Sequence, residues 1–255
     1  MSATTPEALV TRSLDRRPLT TAEQALWYAQ QLDPASPAYL CAHAVTLRGP
    51  VDVARLRAAV LAVTAAADNL HVTVAAAPLP AGGAARSSGS DADSGYVGGD
   101  DPATRGGDDA GDLCAVAHPP AGCPVHDLRD DPDPGARAAA WMRADATTAV
   151  PLDRPGLFAQ ALLVLPDRVV WYLRAHHLLL DGYGFTLLTD RVAAAYRDPA
   201  AAVAPFPPAA RLVADAHRYR DSGRRAADGD HWHAHLAGRP AAASLSDVVA
   251  APAVP

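Results

Sequence analysis

Apolar and polar positions alternate and cycle along this chain in a way that changes period several times. After Pro18-Leu19-Thr20-Thr21-Ala22-Glu23-Gln24, where Thr20 or Thr21 can cap and Glu23 or Gln24 can reach back, a helix is expected through Leu26, Trp27, Ala29 and Gln30. Asp33-Pro34 stops it. From Tyr39 to Leu47 the period becomes two, with Tyr39, Cys41, His43, Val45 and Leu47 on one face of a strand expected to be buried there. Asp52 then caps a second helix carrying Val53, Leu56, Val60 and Val63, and Leu70 to Ala76 alternates again.

Ala81 to Asp112 keeps no period. Gly, Ser and Asp dominate this stretch, which buries too little apolar surface to offset the entropy of ordering it, so it reads as a disordered insertion. Order is expected again at a short strand near Leu113 to Ala117, then in a helix with Asp133 at the cap and Pro134 in its first turn, running to about Thr148. The two strongest strands, Leu157 to Leu165 and Val169 to Ala175, are joined at Pro166-Asp167-Arg168 and suit a central antiparallel hairpin. A helix from about Phe185 to Tyr196 follows. A proline-rich link leads to two more helices, near Arg211–Arg220 and Arg224–Leu236. Residues 1–17 read as a loose leader and 248–255 as a frayed tail. Strands mixed with helices, without a repeated βαβ unit, indicate an α+β sandwich.

Composition narrows the function. The chain has 255 residues, a net charge of −6 and 22 cationic residues, all arginine, a bias that reads as a mark of the coding DNA. The mild acidity argues against a broad grip on nucleic acid. No apolar run reaches the roughly 18 residues of a membrane helix, and the N-terminus lacks a signal-peptide core. Cys41, Cys114 and Cys123 are odd in number and scattered, so a disulfide framework is not expected and a reducing, cytoplasmic setting is. There is no Gly-x-Ser-x-Gly elbow, no phosphate loop and no CxxC pair.

The sharpest chemistry lies in His176-His177-Leu178-Leu179-Leu180-Asp181-Gly182, between a strand and a helix. Strand-end loops commonly carry functional side chains, and a histidine there can accept a proton near neutral pH. Asp181 can orient an imidazole or hold the turn, the three leucines can wall a site against water, and Gly182 permits a conformation or a close approach that a Cβ would forbid. A weaker cluster is His231, Trp232, His233 and His235. His231 and His235 share a helical face at a metal-compatible spacing, but no third ligand is evident, so a solvated face is the favoured reading, with Trp232 in the core or an interface.

The His-His-x-x-x-Asp-Gly pattern at His176–Gly182 resembles the signature of condensation domains of nonribosomal peptide synthetases, within the chloramphenicol-acetyltransferase-like acyltransferases. Pro18 to Trp27 resembles the family's opening Ser/Thr-Ala-x-Gln-x-x-Leu/Ile-Trp run, and Tyr172 to Gly184 looks like the enterobactin-synthase type. Tyr219-Arg220-Asp221-Ser222 and His231-Trp232 are similar to its next segment. The likeness spans about Pro18 to Asp247 apart from the insertion. It departs at Ala65-Ala66-Ala67-Asp68-Asn69-Leu70, where the family carries Arg-His-Glu-x-Leu-Arg and only Leu70 corresponds.

The resemblance implies the N-terminal lobe of a domain about twice as long, with two lobes in a V. It also implies amide formation between a carrier-bound acyl or peptidyl thioester and a carrier-bound aminoacyl amine. His177 would contact the nucleophile, as general base or as the acceptor that orients the amine; His176 would be structural, packed or bonded to backbone. Asp181, lacking the family's arginine, would face solvent or recruit a local arginine such as Arg174. No cofactor is expected to bind directly; substrates would arrive on phosphopantetheine arms of peptidyl or acyl carrier protein domains, and a C-terminal lobe in the same or another chain would complete the cleft. Two other readings stay open: a catalytically inactive, truncated or partner-binding lobe, and an O-acyltransferase of the wax-ester or polyketide-associated kind.

Overall fold

The computed structural model describes residues 16–76, 113–201, 203, 204 and 206–238. The expected insertion over 81–112 and the tail over 248–255 lie outside the described residues. These residues form two compact units, one reaching to Val213 and one starting at Ala214.

The first unit is built on two sheets. Strand β1 (Arg16–Pro18), helix α1 (Thr21–Leu32), β2 (Leu40–Arg48) and α2 (Val53–Ala65) come first. A single 3-10 turn, Asp68–Leu70, leads into β3 (Val72–Ala76), followed by β4 (Leu113–Ala117), β5 (Val125–Asp127) and α3 (Pro134–Ala146). Then come β6 (Phe158–Val164), β7 (Arg168–His176) and α4 (Gly182–Arg197). Helix α5 (Ala209–Arg220) runs across the boundary between units, and α6 (Gly223–Leu236) lies in the second. One sheet has the order β1-β4-β3 and is antiparallel; the other has the order β2-β7-β6-β5, with β5 parallel to β6 and the rest antiparallel.

Local chemistry explains most helix starts. Thr20 accepts from the Glu23 N–H while the Glu23 carboxylate takes the Thr20 N–H, a complete capping box. Asp52 caps α2 through the Arg55 N–H, and Asp133 caps α3 just ahead of Pro134. The β6–β7 hairpin is central in its sheet, as its β-branched and aromatic content predicts, and β7 is buried on both faces from Val169 to His176. Trp171, Leu173 and Ala175 face the main core with Leu56, Val60 and Val63 of α2 and Leu188 and Val192 of α4. Val170 instead packs with Leu163, Leu165 and Ala138 under α3. Each fully buried Leu or Val stabilises by about 1.5–3 kcal/mol before entropy, so α2 and α4 are held by their apolar faces more than by propensity.

Several expectations are corrected. Arg16 and Arg17, expected within a loose leader, pair with Val116 and Ala115 in β1. The expected α4 start at Phe185 moves three residues earlier, because Asp181 caps the helix. Cys41 is half-buried rather than buried, since β2 is an edge strand with much of its surface exposed. Of the two places expected for Trp232, the core is excluded: it is exposed, on a helix with no buried residue among those described. Cys41, Cys114 and Cys123 are free thiols.

Candidate functional site

The end of β7 separates the two histidines. At the end of β7, His176 is 1% exposed, whereas the next residue, His177, is exposed. The His176 ring is engaged on both nitrogens: Nδ1 accepts from the Leu178 N–H at 3.1 Å, and Nε2 meets Gln30 Oε1 at 3.2 Å. The bond to a backbone N–H requires Nδ1 to be unprotonated, which leaves Nε2–H to donate to Gln30. Tyr39 packs beside it, with ring centroids 6.0 Å apart. Burial, then the neighbouring His177 and Arg174, push the His176 pKa down to about 4, so this ring is neutral at physiological pH. Its geometry is that of a brace.

His177 continues the chain into the loop. Its backbone N–H donates to Tyr39 O at 2.7 Å, and the Leu179 N–H returns to His176 O at 2.9 Å. His177 lines a cleft of about 440 Å³, whose wall includes Leu178, Leu179, Leu180, Arg17 and Asn69. The three leucines therefore wall the site as expected, two of them buried.

Asp181 is exposed and caps α4, accepting the Gly184 N–H at 2.8 Å. Of its two expected alternatives, it faces solvent. Arg174 is instead taken by Asp145 of α3, Nε to Oδ2 at 2.6 Å, and also reaches Gly156 O. Tyr172 donates to the same carboxylate.

Gly182 departs from its expected role. A Cβ there would meet nothing within 4 Å, and the residue begins α4 outside the left-handed region. The close approach belongs two residues later: a Cβ on Gly184 would lie 2.4 Å from Leu180 Cδ1.

Residues far away in sequence, not singled out as part of the site, complete it. Asn69 Nδ2 donates to Leu179 O at 2.7 Å, across 110 positions. Asn69 Oδ1 accepts from Arg17 Nη2 at 2.5 Å, and Arg17 is doubly bonded to the buried Glu23. Asp68 caps the start of α5 through the Ala209 N–H at 3.1 Å. Thus Ala65–Leu70, although it departs from the family motif, packs Leu70 at 1% exposure and binds the histidine loop. Glu23 had a visible signal as a capping residue; Asn69, Arg17 and Gln30 had none.

No family model matches the chain. It is 34% identical over 247 residues to an isonitrile lipopeptide synthase of Streptomyces coeruleorubidus, covering 94% of this chain and 15% of that protein. It is 32% identical over 235 residues to enterobactin synthase component F of Escherichia coli O157:H7, covering 90% of this chain and 16% of the relative. A starter condensation domain of rhizomide synthetase, with C8-CoA bound, superposes with a TM-score of 0.72 at 30% identity, over 92% of this chain and 49% of that structure. The chain belongs to the condensation-domain family of nonribosomal peptide synthetases. The first condensation domain of a calcium-dependent antibiotic synthetase gives a TM-score of 0.65 at 30% identity, over 88% of this chain and 48% of that structure. The chain thus spans about half of the solved condensation domains it matches, and its α+β architecture is that of one condensation-domain lobe.

Among the described residues, no group of three or more His, Cys, Asp or Glu is placed to hold a metal ion. No described helix is long and apolar enough to cross a membrane.

Proposed function

We propose that this lobe supplies one wall of a condensation cleft, in which the amine of a carrier-bound aminoacyl group attacks a carrier-bound acyl or peptidyl thioester. The observation that carries this reading is the contrast within the histidine pair: His176 is buried and tied on both nitrogens, while His177 is exposed on a leucine-walled cleft. A side chain carried on a backbone tied to Tyr39 and open to a cleft is placed to meet a substrate. The thioesters would reach it on phosphopantetheine arms of peptidyl or acyl carrier protein domains, with no directly bound cofactor and with a C-terminal lobe as the opposite wall. The free thiols of this chain fit a cytoplasmic setting.

His177 accepts a hydrogen bond from the acceptor amine and directs its lone pair at the thioester carbonyl. The C–N bond forms, the C–S bond breaks, and the amine proton passes by way of His177 to the departing thiol. An α-amine of pKa about 7.7–8.0 is partly neutral at physiological pH, so orientation contributes alongside proton transfer. Asp181 acts on structure, since its carboxylate is spent on the α4 N-terminus.

The test uses the full-length protein bearing this chain, with C8-CoA as donor and Leu-SNAC as acceptor, molecules seen with rhizomide synthetase. His177→Ala is expected to lower amide formation by about 10²-fold or more. Undiminished amide formation overturns the reading and leaves a partner-binding lobe; ester formation with an alcohol acceptor in place of the amine indicates an O-acyltransferase.

A further inference from the structure

We propose that Asn69, held in one orientation by the Arg17–Glu23 pair, is a positioning residue for His177. This rests on the reading of His177 as the group that meets the acceptor amine. The geometry is a directed chain of hydrogen bonds that begins at the start of α1 and ends on the backbone of the histidine loop. Glu23 is 7% exposed, and its Oε2 receives both the Thr20 N–H at 2.7 Å and the Thr20 hydroxyl at 3.0 Å. That fixed carboxylate takes two bonds from Arg17, Nη1 to Oε2 at 2.9 Å and Nη2 to Oε1 at 2.5 Å. A guanidinium gripped in this bidentate way has a fixed plane; Nη1 also donates to Pro18 O at 3.1 Å, and Nη2 also donates to Asn69 Oδ1.

The two partners of Asn69 leave its amide one orientation. A guanidinium only donates, so the oxygen must face Arg17; the Leu179 carbonyl only accepts, so the amide nitrogen must face the loop. The donated bond to Leu179 O is 2.7 Å long and lands two residues beyond His177. On the other side of the loop, the His177 N–H is held by Tyr39 O at 2.7 Å. The loop is therefore clamped from β2's side by a backbone carbonyl and from the α2–β3 turn by a side-chain amide. Arg17, Asn69, Leu179 and His177 all border the same cleft. A shift of about 1 Å in a reacting group can cost on the order of 10²-fold in rate, so an anchor two residues from the imidazole acts on the reaction without touching substrate.

Asn69→Asp is the discriminating variant. It keeps an oxygen for Arg17 and nearly the same volume, and it replaces the donor facing Leu179 O by an acceptor. Asn69→Leu removes both bonds at similar size and checks that the added charge is not the cause. Each is measured in the full-length protein with C8-CoA and Leu-SNAC, alone and combined with His177→Ala, with the melting temperature recorded beside the rates.

The expected result is a kcat lowered by about tenfold or more, with KM for both thioesters within about twofold, and less than about twofold further loss when His177 is already alanine. Loss that multiplies equally in both backgrounds is the mark of general structural damage and overturns the proposal. So does a raised KM with kcat kept, which would make Asn69 and Arg17 substrate-binding groups. If His177→Ala itself retains full activity, it is the underlying reading of His177 that fails. If His177→Ala is inactive relative to wild type and Asn69→Asp is not, only the positioning role fails.

Discussion

Two regions of this protein concentrate histidines, and they behave in opposite ways. At the end of β7, His176 and the loop that begins at His177 are tied to α1, to Tyr39 just before β2 and to the turn before β3. In α6, the His231 and His235 rings stack in parallel 6.0 Å apart beside Trp232, on a helix whose described residues include none that is buried. Sequence density of histidine is similar in both. What differs is the number of separate chain segments that meet at the His176 ring and along the backbone that carries His177, and this is what places the two groups. A helix face presents its residues at 3.6-residue spacing to whatever is outside, whereas a strand end sends successive residues to opposite sides. At the end of β7 one histidine is buried as a brace and the next is exposed on a cleft, whereas the described residues of α6 include none that is buried.

The contrast can be broken most directly at the brace. His176→Ala leaves a cavity and removes the partner of both Gln30 and the Leu178 N–H, so unfolding free energy in urea is expected to fall by about 2–3 kcal/mol. A loss below about 0.5 kcal/mol would put His176 on a par with α6.

The pH dependence sharpens the same point. The folded-state pKa of His176 is about 4, below the ordinary value of 6.5, because burial disfavours the charged ring. The unfolded chain therefore binds the extra proton first. The stability that the neutral ring contributes is complete above about pH 6.5 and is lost as pH falls toward 4, by on the order of 2–3 kcal/mol. His71, also lowered mainly by burial, acts in the same direction. The difference between wild type and His176→Gln in urea melts at pH 7 and pH 4.5 isolates the His176 share, and equal pH slopes would refute it.

A smaller effect is expected from Gly184→Ala. Its new methyl overlaps Leu180 Cδ1 and Cγ, forcing a leucine that lines the cleft to turn away, at a cost of about 1–2 kcal/mol. Gly182→Ala, in the first turn of the same helix and facing open space, should change stability by less than about 0.5 kcal/mol. Thermal melts of the pair distinguish crowding from glycine entropy, which would affect both alike. The smallest change is expected in the other region: His231→Ala should shift unfolding free energy by less than about 0.5 kcal/mol, and a shift above 1 kcal/mol would show that α6 is held more firmly than its exposure indicates.

Much of this was legible before the structure. The capping box at Thr20 and Glu23, the caps at Asp52 and Asp133, and strand β4 at Leu113–Ala117 are local patterns, decided by atoms within a few residues of one another. The β6–β7 hairpin also showed in sequence, because a buried central pair must be apolar on both faces. The seven-residue run His176–Gly182 and its place between strand and helix were equally visible. Strands β1 and β5 were not: three residues carry no period, and each exists because a longer strand offers it a ladder.

The sequence by itself determined the longer elements, the chemistry available at the end of β7 and the likeness to condensation domains. The tertiary structure decided which histidine is sealed and which is open, that Asp181 caps a helix while Arg174 turns to Asp145, and that Asn69 reaches Leu179. The physical reason is range. Caps and periodicities are set by neighbours along the chain, but burial and hydrogen bonds between residues 52 or 110 positions apart exist only once packing has brought those segments together.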